Sequence, residues 1–184
     1  MMQDYTYETR LNGPIPFRGK EGLGMRLLVL VLMVLPLPAF ALSCFPHGVT
    51  DAYLQADAAD EVYVPVLGML DFDADMVPQV DWENQQDVPE VTLIPATFTG
   101  DVMGPRGFTS AFDIDVVLEV QCFGPWCPSP RPGRTLGFLR EASDSYVLHT
   151  NACGGFLFGG PSDQQITDVQ QCLDGRACVP FADR

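Results

Sequence analysis

The sequence predicts a mainly β domain, a small antiparallel barrel or sandwich of about five strands closed by one C-terminal helix and stapled by disulfides. Three observations carry this prediction: apolar residues that recur at every second position, one late segment with helical spacing, and an even number of cysteines behind an export-type leader. The chain has 184 residues, of which 47% are hydrophobic, so a single domain can bury a sizeable core.

Five segments have the composition of β-strands, namely residues 61–70, 91–99, 112–122, 135–140 and 146–150. In segment 112–122 the apolar residues alternate with mainly polar ones, which places one face in a core and the other in water. Pro65 interrupts the first segment and indicates an edge strand or a strand with a bulge. The polar residues 141–145 suit a hairpin turn between the last two strands.

The last regular element is predicted to be an amphipathic helix. Ser162 and Gln165 form a capping box, and the helix is expected to end near Gly175. Its apolar residues recur at i, i+3 and i+7 and are Ile166, Val169 and Leu173. No internal repeat is visible, so we expect one domain.

The N-terminal region has the features of a signal peptide. Residues 25–41 contain a charged start, an apolar run too short to span a bilayer, and a small-x-small site, so we expect a signal peptide cleaved between Ala41 and Leu42. Residues 1–24 have no periodicity and are interpreted as a mis-assigned upstream extension. Residues 42–184 then form one secreted or periplasmic domain. A lipid anchor on Cys44 is the alternative, but Ala41 and Leu42 fit the lipoprotein pattern poorly.

The charge balance restricts the partners. Twenty-four acidic residues oppose ten basic ones, giving a formal net charge of −14, and every cation after residue 41 is an arginine. Such a field repels nucleic acid and anionic membrane surfaces, and neither is expected as a partner. A cationic partner and a salt-rich medium both remain compatible with this charge, and solubility in salt is the favoured interpretation.

All six cysteines lie after the predicted cleavage site, and an even number in an exported domain favours three disulfides. Zinc is the competing interpretation. No two cysteines have the two-residue gap of a zinc knuckle, and only His47 and His149 could assist them. We therefore predict neither a metal nor a cofactor.

Three groups of motifs follow one another along the chain. An opening with a cysteine and a proline covers residues 43–47, 52–53 and 56–63, paired strands that end in a cysteine cover residues 136–139 and 146–153, and a helix begins at Ser162. This order of motifs resembles the netrin-type module family, whose best-known members are the tissue inhibitors of metalloproteinases. The resemblance spans most of residues 43–173 and rests on order and spacing. It implies an OB-like barrel and a non-catalytic module that binds a protein of unknown identity.

The resemblance also implies a disulfide pairing and a contact surface. Cys44 would pair with Cys153, and the remaining cysteines would pair locally, Cys122 with Cys127 and Cys172 with Cys178. The contact surface would include Phe45, Pro46 and His47 of the leading segment. Phe123 and Trp126 are further candidates at the tip of the loop between Cys122 and Cys127.

One departure from the family bears on protease inhibition. The metalloproteinase inhibitors begin with Cys-x-Cys, and the free amine of the first cysteine binds the target's zinc. Cleavage after Ala41 leaves the amine of Leu42 instead. Inhibition is therefore expected only if cleavage after Ser43 places Cys44 first.

Three other activities are weighed against simpler structural interpretations. The carboxylates of residues 71–87 alternate as in a calcium loop, but Met76 and Trp82 occupy the EF-hand glycine and glutamate positions. A solvated acidic loop is therefore favoured, and an irregular calcium site, in a calcium-binding or lipid-anchored envelope protein, is the alternative. Four residues separate Cys122 from Cys127 and no helix follows, which favours a structural clip over a redox site. A hydrolase would need a triad assembled in space, since Gly-x-Ser-x-Gly is absent.

Overall fold

Two α-helices and seven strands make up the fold in the computed structural model, which describes residues 42–104 and 106–183. The predicted extension 1–24 and signal peptide 25–41 lie outside the described residues. In chain order the elements are α1 (Val49–Asp57), β1 (Tyr63–Phe72), β2 (Val91–Gly104), β3 (Gly107–Gln121), β4 (Gly133–Glu141), β5 (Tyr146–Asn151), β6 (Gly154–Gly155), β7 (Leu157–Gly159) and α2 (Asp163–Leu173).

Five of the strands pair in a closed ring. β1 pairs antiparallel with β2 and β4, β2 pairs antiparallel with β3, and β5 pairs antiparallel with β4 and parallel with β3. The expectation of a wholly antiparallel sheet is therefore wrong at the β3–β5 pair. A ring with an odd number of strands cannot alternate direction all the way round, so one neighbouring pair has to run parallel.

The predicted strands match β1 to β5, but the described residues contain seven strands. β6 pairs with β5 and β7 pairs with β4, so both flank the ring. They are two and three residues long and lie in a glycine-rich stretch, where no alternation of apolar residues is available to predict them. The turn at residues 141–145 joins β4 to β5 and is closed by the Ala142 N–H, which donates to the Ser145 carbonyl oxygen at 2.9 Å.

Pro65 does not mark an edge strand, because β1 lies between β2 and β4. It pairs with Phe138 on the β4 side, whereas the ladder to β2 begins only at Val66. The Phe138 N–H donates elsewhere, to the Phe156 carbonyl oxygen at 3.0 Å. Pro65 therefore lies near the end of a central strand, at a position where neither neighbouring strand needs a hydrogen bond from its backbone nitrogen.

The prediction of a single helix is wrong, since α1 precedes the first strand. Its apolar residues follow the i, i+3, i+4, i+7 pattern of a helix face and are Val49, Ala52, Tyr53 and Ala56. The Gly48 N–H donates to the Asp51 carboxylate at 2.7 Å and satisfies one free backbone donor at the helix start. The segment is only nine residues long, which is shorter than the helices that apolar periodicity identifies in a sequence.

The buried apolar residues form two clusters. One fills the ring and includes Phe98, Leu118 and Leu148, none of which is exposed. The other lies between the two helices and β4 and includes Ala52, Phe138 and Val169. Among the described residues, no helix is both long enough and apolar enough to cross a membrane.

Candidate functional site

The segment Leu42 to Gly48, which we call the leading segment, has no regular structure and is held by a disulfide. The described residues contain three disulfides, Cys44–Cys153, Cys122–Cys127 and Cys172–Cys178, the same pairs that the family resemblance implies. Cys44–Cys153 joins residues 109 positions apart and ties the leading segment to the loop after β5. A sulfur in this bond cannot carry a lipid thioether, which disfavours the lipid-anchored alternative.

His47 anchors the leading segment at a second point. Its Nε2 lies 2.8 Å from the Gly155 carbonyl oxygen, and because that oxygen only accepts, Nε2–H is the donor. The ring stacks on Phe158 with centroids 5.9 Å apart. Gly154 has φ of +132°, and a Cβ there would overlap the imidazole, so glycine is required for this contact.

A cavity of about 420 Å³ opens beside this anchored segment. It is lined by the leading segment, α1, β5 and the loop that Cys153 holds, through Cys44, Phe45, Pro46, His47, Asp51, Gln55, His149, Asn151, Cys153, Gly155 and Phe156. Phe45 is 92% exposed and Pro46 is also exposed, whereas His47 is half-buried. Three of the five predicted contact residues are thus brought together, with His47 in a supporting position.

Asp51, Gln55 and Asn151 were not predicted for this site. Asp51 and Gln55 lie on α1, a helix that the sequence did not predict. Without that helix, nothing indicated that both residues would lie close to the leading segment. Their i, i+4 spacing is the signal that could have placed them on one helix face. Asn151 ends β5, and its side chain accepts from the Cys153 N–H at 2.8 Å, which shapes the loop carrying the disulfide.

The two histidines of the cavity have no serine or free cysteine beside them among the described lining residues, because none of these residues is a serine and both cysteines are in the disulfide. The Asp51 carboxylate accepts from the backbone N–H groups of Gly48 and Phe181. The third alternative, an unrecognised hydrolase, therefore gains no nucleophile here.

His149 has a distinct electrostatic environment within the cavity wall. Burial lowers its pKa from the ordinary value of 6.5, with Arg140 acting in the same direction and Glu119 opposing them. Its Nε2 lies 3.2 Å from Gln121 Oε1, an amide oxygen that accepts a hydrogen bond. The neutral imidazole is therefore the form that the fold favours.

Acidification is expected to destabilise the protein partly through His149. Above about pH 6.5 both folded and unfolded states hold it neutral, but as the pH falls the unfolded chain takes up the proton first, so stability is lost. The unfolding temperature of the wild type should fall more between about pH 7.5 and about pH 5 than that of His149→Gln. The carboxylates titrate in both proteins, so the difference isolates the imidazole. Equal pH dependence would contradict the assignment.

A second cavity, of about 390 Å³, lies at the start of the leading segment. It brings together Leu42, Trp82, Trp126 and Ala152, with Trp82 66% and Trp126 38% exposed. Trp126 thus lies near the leading segment, and Trp82 is an aromatic neighbour that the sequence did not indicate. Phe123 is half-buried and pairs with Trp126 through backbone hydrogen bonds, so it shapes the turn.

The acidic residues between positions 71 and 87 are exposed; Asp71 lies at the end of β1, and the others lie in the turns that follow it. No group of three or more histidine, cysteine, aspartate or glutamate side chains is placed to hold a metal ion within the described part of the chain. The Asp81 carboxylate accepts from the Asn84 side chain and the Glu83 N–H, each at 2.8 Å, and these hydrogen bonds lower its pKa. Asp81 therefore has a local structural partner.

Comparisons with known proteins add no relative to this picture. No protein-family model matches the chain, and no curated protein and no solved structure matches it. Function has to be inferred from the arrangement of side chains around the leading segment.

Proposed function

We propose that the chain is an exported, non-catalytic binding module of the netrin type, built on an OB-like barrel, which captures a protein partner through the leading segment. The observation that carries this proposal is the exposed Phe45 beside a disulfide that fixes it to the ring. An isolated exposed phenylalanine on a free chain end would have to be ordered on binding. Here the Cys44–Cys153 disulfide and the His47 anchor have already ordered it.

The leading segment is suitable for recognition because it is pre-organised. Binding immobilises side chains and loops, and each rotamer-rich side chain that is ordered costs about 0.5 to 1.5 kcal/mol. A leading segment held at Cys44 and His47 loses little further freedom, so more of the contact energy appears as affinity. Phe45 and Trp126 are exposed, and aromatic residues are enriched at protein interfaces.

The netrin-type assignment is supported by the order of elements around the ring. The strands neighbour one another in the order β1, β2, β3, β5, β4, a cysteine before β1 bonds to the loop after β5, and a helix follows the last strand. The three disulfides are compatible with an oxidising compartment outside the cytoplasm.

Photocrosslinking at Phe45 tests the proposal. With p-benzoylphenylalanine in place of Phe45, light should link the protein to one partner in the native exported fraction. Replacing both Cys44 and Cys153 by alanine in that background should reduce the adduct by about tenfold while circular dichroism still shows the sheet, since the segment then has to be ordered on binding.

Met69 provides the matched control, because it is 54% exposed on β1 and lines neither cavity. The same crosslinker at Met69 should give no adduct. Equal adducts at both positions, or an adduct that survives loss of the disulfide, would contradict the proposal. A panel of metalloproteases should also stay uninhibited at about micromolar protein. Tight inhibition would instead indicate cleavage after Ser43 and zinc binding by the Cys44 amine.

A further inference from the structure

A second surface lies away from the leading segment, on the outer face of β2 and β3. It is a groove of about 880 Å³, which we call the acidic groove. Its lining comes from the end of β1, from β2 and β3, and from the β4–β5 turn, through Asp71, Phe72, Asp73, Leu93, Pro95, Ala96, Thr97, Asp115, Val116, Val117, Asp144 and Ser145. The volume is in the range of sites that hold small ligands or several residues of a peptide.

The floor of the groove is apolar and accessible. Leu93 and Pro95 are exposed on β2, and Val117, directly opposite Pro95 on β3, is half-buried. Strand alternation places these three side chains on one face. Leu93 is 59% exposed, a large apolar side chain for which the described structure provides no cover. A ligand with an apolar side chain would bury it here.

The charges around this floor all have one sign. Asp71, Asp73, Asp115 and Asp144 line the groove and are all exposed, and the described lining contains no arginine, lysine or histidine. Register places Asp71 opposite Thr97 on β2, and Thr97 opposite Asp115 on β3, so carboxylates on β1 and β3 lie on either side of β2. The β4–β5 turn adds Asp144 to the lining.

We propose that the acidic groove docks a basic segment of a partner protein, with lysine or arginine side chains on the four carboxylates and an apolar side chain against Leu93. The carboxylates supply attraction and select the sign of charge, and the floor supplies an anchor that a simple cation does not need. An anionic segment or nucleic acid is repelled by the same side chains. This surface is independent of the contacts made by the leading segment.

The test uses defined probes and two sets of three substitutions. The probes are a fluorescent peptide of alternating arginine and leucine, its citrulline counterpart, and spermine. Asp71→Asn, Asp115→Asn and Asp144→Asn together remove groove charge, whereas Asp57→Asn, Asp60→Asn and Asp183→Asn remove the same charge elsewhere. Thermal unfolding of each variant checks that it is folded.

The arginine–leucine peptide should bind saturably, and the citrulline peptide at least about tenfold more weakly. The groove substitutions should weaken it by at least about tenfold, and the remote set by less than about threefold, because exposed ion pairs act over short range. Leu93→Ser should weaken the peptide but leave spermine unchanged. Equal effects of both charge sets, insensitivity to Leu93→Ser, spermine binding as tight as the peptide, or no peptide binding would each overturn the proposal.

Discussion

Replacing Gly68 by alanine is expected to destabilise the protein by about 3 kcal/mol, at the upper end of what one added methyl group does in a packed interior. Gly68 on β1 is paired directly with Gly100 on β2. A Cβ at Gly68 would lie 2.6 Å from the Gly100 Cα and 2.8 Å from Phe98 Cζ, and it would overlap the Thr99 carbonyl oxygen. Urea unfolding followed by circular dichroism measures the loss, which corresponds to about 10 °C in unfolding temperature.

The size of this effect follows from what the methyl group would meet. Two of the nearest atoms belong to the backbone of the paired strand, and Phe98 is completely buried, so none of them can move aside easily. Gly159 is the matched control, since a Cβ there meets nothing within 4 Å and the residue is exposed in β7. Gly159→Ala should change stability by less than about 1 kcal/mol. Similar losses in the two variants would refute the steric explanation.

The glycine pair also shows where sequence interpretation of this fold stops. Alternation in β3 predicts its inner face, which Val116, Leu118 and Val120 occupy in the ring. The close approach of Gly68 and Gly100, which lie more than 30 positions apart in the chain, depends on the register between β1 and β2, and no local pattern contains that register. Ring closure is likewise a property of pairings between distant strands, and the parallel β3–β5 contact follows from it.

For the candidate site, only residue types and sequence positions were available for prediction. Phe45 and Pro46 belong to the leading segment itself, and the structure places Trp126 in a cavity with Leu42 at the start of that segment, whereas the role of these residues in binding stays a prediction. Trp82 and Asn151 reach the same region only through tertiary packing. The anchor of His47 on Gly155 depends on glycine at position 154, a condition that appears only when the two segments are brought together. The sequence therefore indicates which residue types are present near the leading segment. Their contacts depend on tertiary packing and on the disulfide that holds the segment.

The largest expected effect belongs to the disulfide that holds the leading segment. Replacing Cys44 and Cys153 together by alanine should lower the free energy of unfolding by about 4 to 5 kcal/mol, because the bond closes a loop of more than a hundred residues in the unfolded chain. That is a large share of the roughly 5 to 15 kcal/mol that holds a typical domain together. The unfolding temperature should fall by about 10 to 20 °C.

Replacing Cys172 and Cys178 by alanine provides the comparison, since that bond closes a loop with a sequence separation of only 6. Loop entropy assigns it about 2 kcal/mol. Cys172 is 4% exposed, so truncating it also removes a buried sulfur and adds to the loss of stability in this variant. Cys44 is exposed and Cys153 is half-buried, so this added loss is smaller for the Cys44–Cys153 pair. A loss for the Cys44–Cys153 pair of less than about 2 kcal/mol would show that the long disulfide restricts the unfolded chain no more than a short one does. Its remaining role would then be to position the leading segment, which the Phe45 crosslink reports separately.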